Sequence, residues 1–186
     1  MILLYFCVHV IILCTIFVNV CKIINRKLCQ SIIMNLNGYR GLVIADYFIE
    51  KAIEDGKTIT NMAVLKMIYF AQGFCYSNLG KQLIKDDFYA WKFGPVEIHT
   101  YEEFKQYGAG CITRSSGKTK EELRDIKTHL EIVALLNKVY GLINIHPYTL
   151  SNITHEAGSP WDLTPIYQVI KKELIRDYFV RKLWKK

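Results

Sequence analysis

Arg114-Ser115-Ser116-Gly117-Lys118-Thr119 invites a phosphate-loop reading, because a lysine and a hydroxyl placed after a glycine can hold a nucleotide's phosphates. Such a loop also needs a glycine five places before Gly117, where Ile112 stands, and Gly110 falls two places too early. No apolar strand of adequate length leads in, so the segment reads as a solvated loop. A cysteine nucleophile needs a histidine beside it that is itself held by a carboxylate or amide. Cys75 lies in an apolar helical run and reads as a small buried hydrophobe, and Cys111 has no evident partner. His99, His129, His146 and His155 form no His-x-x-x-His pair and no Cys-x-x-Cys occurs, so neither a metal nor a cofactor is expected. His155 is expected at a helix end, bonded to backbone or to a neighbouring segment, with contact to a partner as the alternative. Trp91 and Trp161 fall in turns, where large aromatics anchor a core or form interface hot spots. Between Lys171 and the terminus, seven basic residues stand against Glu173 and Asp177. They read as a solvated face, or as contact with an acidic protein surface or a phosphate backbone.

The elements that would carry these groups are mostly helical. Leu42 to Ile53 is apolar at 42, 45, 48, 49, 52 and 53, a helical stripe that Gly56 stops. Thr58 to Asn61 offers N-caps for a helix from Met62 to about Leu79, closed by Gly80. Its centre, Leu65 to Gln72, is apolar nearly all round and should be the most buried helix. Lys66, the exception there, is expected to snorkel to solvent, the alternative being donation to a buried acceptor. Gln82-Leu83-Ile84 reads as a short extended piece. Phe88 to Phe93 alternates as a half-buried strand, with Phe88, Ala90 and Lys92 on one face and Tyr89, Trp91 and Phe93 on the other. Gly94 is expected to turn the chain and Pro95 to open a helix from about Val96 to Tyr107, with Ile98, Tyr101 and Phe104 inward. Gly108 to Lys120 is a polar loop and the best candidate for mobility, within which Cys111-Ile112-Thr113 is expected to pair with Leu83–Ile84. One strong helix is expected over Glu121 to Val139, ending near Gly141, and a short one from Pro147 through Glu156. Gly158-Ser159-Pro160-Trp161 then turns the chain, and a helical pattern runs from about Pro165 to the terminus. The fold class expected is mainly α, a bundle-like domain with a small two- to three-stranded β element.

Charge is unevenly spread. The chain has 186 residues and a net charge of +7, but residues 1–33 hold three of the 24 basic residues, Lys22, Arg26 and Lys27, and no acid. The remaining 21 basic and 17 acidic residues give residues 34–186 a net charge of +4, too weak alone to imply nucleic acid. Ile2 to Val20 is almost wholly apolar and long enough for a membrane anchor, with its basic flank and the domain on the cytoplasmic side. It lacks the charged n-region and cleavage site of a signal peptide. The alternative is a start at Met34, the preceding residues being upstream translation outside the fold. Only Cys75 and Cys111 follow Met34, which argues for a reducing compartment.

Several stretches in this order resemble one family. They are Leu65-Lys66-Met67-Ile68-Tyr69-Phe70-Ala71-Gln72-Gly73, then Phe88-x-Ala90-Trp91-Lys92-Phe93-Gly94-Pro95-Val96, and Tyr101-x-x-Phe104-x-x-Tyr107-Gly108. Thr154-His155-x-x-x-Ser159-Pro160-Trp161 and Glu173-Leu174-Ile175-x-x-Tyr178-Phe179 complete the series. Together, over roughly Tyr39 to Phe179, they resemble the Panacea domain, the SocA-like antitoxin family that also occurs in phage-associated proteins. Where the family often has Leu-Gln-Lys-Leu, this chain has Val64-Leu65-Lys66-Met67, and residues 1–33 lie outside the pattern. The resemblance implies a cytoplasmic, non-enzymatic antitoxin that neutralises a cognate toxin, encoded next to it, by direct binding. The contact residues it suggests are Trp91, Lys92, Phe93, Gly94, Pro95, Val96, His155, Ser159, Pro160 and Trp161. A nucleic-acid-binding regulator using the basic C-terminal helix is the alternative, and an enzyme of the Cys-His kind lacks any paired motif.

Overall fold

The computed structural model describes residues 38–184, and the expectations placed on residues 1–33 and Met34 lie outside them. Seven α-helices and one small sheet are built there: α1 Gly41–Glu54, α2 Asn61–Leu79, α3 Ile98–Phe104, α4 Lys120–Thr128, α5 Leu130–Tyr140, α6 Pro147–Thr154 and α7 Lys172–Trp184. The strands are β1 Phe88–Trp91, β2 Gly94–Glu97 and β3 Val169–Ile170, antiparallel in the order β2-β1-β3. This is the mainly α class with a small β element that the periodicity implied.

Helix α2 is the axis of the domain. Thr60 Oγ1 accepts from Ala63 N at its start, and Gly80 closes it in the left-handed conformation at φ 64. Being apolar nearly all round, it is covered on all sides, by α1, α5, α6, α7 and β2. Gly73 allows the closest of these contacts, because a Cβ there would lie 2.4 Å from the Phe179 ring of α7. Phe179 in turn packs edge-on to Tyr69, Phe70 and Phe74.

Four elements differ from expectation. The 121–139 pattern is two helices, broken at His129, whose φ of −96 and ψ of 88 leave the helical region. An unbroken helix would carry the stripe from Ile126 through Leu130 and Val133. The break instead leaves Leu130 80% exposed and buries Ile132, Leu135, Leu136 and Val139. Residues from Pro165 do not continue as helix until Lys172. The free edge of β1 takes them as a third strand, through Tyr167 N to Ala90 O at 2.6 Å and Ala90 N to Gln168 O at 2.9 Å. Cys111 bridges Thr60, and Ile112 N donates to Ile59 O at 2.8 Å; Leu83–Ile84 is already held by Tyr39. The helix expected from Val96 begins at Ile98, because Val96 and Glu97 complete β2.

The 108–119 loop is pinned. Asp46 of α1, 1% exposed, accepts from Ser116 N, Ser116 Oγ and Thr119 Oγ1, so the segment read as a solvated loop is fixed to the core at its end. No helix among the described residues is long and apolar enough to cross a membrane.

Candidate functional site

Gly94 and Pro95 lie inside a strand; the turn expected there is two residues earlier. Lys92 and Phe93 form the two-residue connection of a β-hairpin, in which Trp91 faces Gly94 and Ala90 faces Pro95. Gly94 ends the turn at φ 100, where a side chain is disfavoured, and a Cβ would lie 2.6 Å from Thr154 Oγ1 and 2.9 Å from Lys66 Nζ. Ala90 directs its own N–H and C=O to Gln168 and Tyr167, just before β3, so its pairing with Pro95 uses no hydrogen bond and the missing N–H of proline is not needed.

On this outer edge the Pro95 carbonyl points away from the sheet and needs a donor. Lys66 supplies it: its Nζ donates to Pro95 O at 2.8 Å, and the side chain is 1% exposed. The expectation that Lys66 snorkels to solvent is therefore wrong. The neighbouring carbonyl of Phe93 accepts from Ser151 Oγ at 2.8 Å. Two helices, α2 and α6, thus hold the hairpin by its unpaired edge. Burial pushes the Lys66 amine down to about 7.

The 154–161 turn also closes on the hairpin. Ser159 Oγ donates to Thr154 O at 2.8 Å, fixing the end of α6, and Trp161 Nε1 donates to Trp91 O at 2.8 Å. His155 stacks on Trp161 with ring centroids 3.7 Å apart. Its buried Nε2 has no hydrogen-bond partner, so the bonded helix-end histidine expected from the sequence is a stacked one instead. Burial and the nearby Lys66 both hold its pKa below the usual histidine range.

The two predicted halves of the site are thus one assembly, but they are not equally reachable. Gly94, Pro95, Val96, Ser159 and Pro160 are buried, Trp91, His155 and Trp161 half-buried, and Lys92 and Phe93 exposed. What the sequence reading missed is the adjoining surface. Leu163, Ile166, Tyr167 and Val169 are exposed apolar residues around β3, and Tyr167 shares with Phe93 the mouth of a cleft of about 420 Å³. The one signal in the chain was four large apolar residues in a segment too broken by Pro165 for an amphipathic helix.

Other candidates resolve into structure. Cys75 is buried and its thiol is pushed up to about 12, which suppresses the thiolate a nucleophile needs. The basic residues of α7 are largely paired: Lys172 with Asp87, Arg176 with Asp177, and Lys182 with Glu156. Among the described residues no group of three or more His, Cys, Asp and Glu is placed to hold a metal ion.

A mainly helical domain that fixes a β-hairpin and an aromatic turn beneath an exposed apolar face has the build of a protein-binding module. The chain belongs to the family Antitoxin SocA-like, Panacea domain, whose model matches residues 64–162, from α2 through the Trp161 turn. Antitoxin SocA of Caulobacter vibrioides (strain NA1000 / CB15N) is 28% identical over 131 residues, 64% of this chain and 67% of that protein. No solved structure matches the chain.

Proposed function

We propose that this protein is a non-enzymatic antitoxin that neutralises a cognate toxin by direct protein–protein binding in the cytoplasm. The observation that carries this reading is the family match, which spans the hairpin and the aromatic turn together. The geometry supports it in two ways. The scaffold under the hairpin is rigid, tied through Lys66, Ser151 and Trp161, so contact there would involve little ordering. Phe93, Ile166 and Tyr167 are the kind of exposed apolar groups that a partner covers. The basic helix gives less support to nucleic acid, because its paired cations release few counterions.

Co-expression with the neighbouring reading frame tests the reading. The neighbouring product alone should arrest growth, and this protein should restore it. A product that is harmless alone, or that stays toxic beside this protein, would sink it.

A further inference from the structure

The cleft at the hairpin has the size of a pocket for a large side chain. Trp91 stands edge-on to Tyr101 with ring centroids 4.9 Å apart, so its walls are aromatic. Two polar groups lie in those walls. Asn61 is 5% exposed, and its Oδ1 has no hydrogen-bond partner within the protein, so a water or a ligand donor must satisfy it. Lys66 Nζ uses one N–H on Pro95 O and has others to give. The lining holds both Lys66 and Lys92 and no carboxylate, which favours an occupant of negative charge.

The mouth of the cleft adds a separate observation. Tyr167 has φ 65, the only non-glycine residue with positive φ among the described residues. The left-handed region is disfavoured for a bulky side chain, and the two hydrogen bonds to Ala90 on either side of Gln168 hold the backbone there. The result is a tyrosine ring 65% exposed beside Phe93, both lining the same cleft.

We propose that this cleft receives an acidic segment of the partner protein, which seats one tyrosine or tryptophan against the paired rings of Trp91 and Tyr101. Its polar O–H or N–H end lies toward Asn61 and Lys66, and an adjacent carboxylate meets the exposed Lys92. The proposal rests on the antitoxin reading and names the chemistry of the toxin surface that would be bound.

The full-length chain is titrated against the full-length product of the neighbouring reading frame, and against peptides tiled along that product. Tyr167→Gly removes the ring and relieves the backbone, so its thermal midpoint should match or exceed that of the unsubstituted chain while affinity falls about tenfold or more. Lys92→Glu, at an exposed turn, should weaken binding by about tenfold with stability unchanged. The peptide that binds should carry Tyr or Trp beside Asp or Glu. Unchanged affinity in both variants, or a binding peptide that is basic or lacks an aromatic, overturns the cleft proposal and leaves the antitoxin reading standing. Self-association that Tyr167→Gly abolishes assigns the face to a second copy and overturns it too. Failure of the unsubstituted chain to bind or neutralise the neighbouring product removes the antitoxin reading itself, and this occupant with it.

Discussion

Lys66 joins a structural duty to an electrostatic one. Its amine caps the edge carbonyl of β2, and it can still donate this bond when neutral, though more weakly than when charged. Burial sets its folded pKa near 7, below the ordinary lysine value of 10.5 that applies in the unfolded chain. Between these values the unfolded chain binds more protons, so the Lys66 contribution to stability rises with pH through that window and is lost as pH falls through 7. Urea denaturation of wild type and Lys66→Met from pH 6.5 to 9.5 isolates it. The difference in stability should move in favour of wild type as pH rises, and a constant difference would show that Lys66 stays charged when folded. His155, held low by burial and by Lys66 itself, adds a loss below the usual histidine range, which Lys66→Met lessens. Gly94 is the second residue at which the site is fixed. Gly94→Ala should cost about 2 kcal/mol or more, since the new methyl meets Thr154 and Lys66 while the backbone stays at φ 100. A melting temperature within about a degree of wild type would contradict this.

At the level of elements, the loop between α3 and α4 depends on one buried carboxylate. Asp46→Ala removes three accepted hydrogen bonds and should destabilise the chain by about 2–3 kcal/mol. Hydrogen exchange at Ser116 N should accelerate beyond what that global loss explains. Unchanged exchange there would mean that Ile112 N on Ile59 O suffices to hold the loop. The helices with an unbroken apolar pattern, α1 and α2, were legible in the sequence to within about a residue or two, the α2 caps included. The elements that escaped it owe their form to distant partners. Pro95 reads as a helix opener in isolation, yet the register with Ala90 makes it an edge-strand residue. Likewise Val169–Ile170 has strand form only because β1 offers a free edge. The same holds for the site: Trp91, Tyr101, His155 and Trp161 were readable as a recurrent pattern, whereas Asn61 and Tyr167 meet Trp91 and Tyr101 in one cleft only in three dimensions.

Across the described residues as a whole, one rigid axis, α2, supports a small sheet whose outer edge is held by side chains and whose β3 side is apolar and exposed. Such a body can bind a partner with little rearrangement, and it is expected to do so without chemistry. The most direct measurement is calorimetric titration of the purified full-length chain with the purified product of the neighbouring reading frame. Saturable binding with a Kd of about 1 μM or tighter, at the salt concentration of the cell, is the predicted result. Absence of binding while co-expression still restores growth would contradict it, because neutralisation would then proceed by a route other than direct contact.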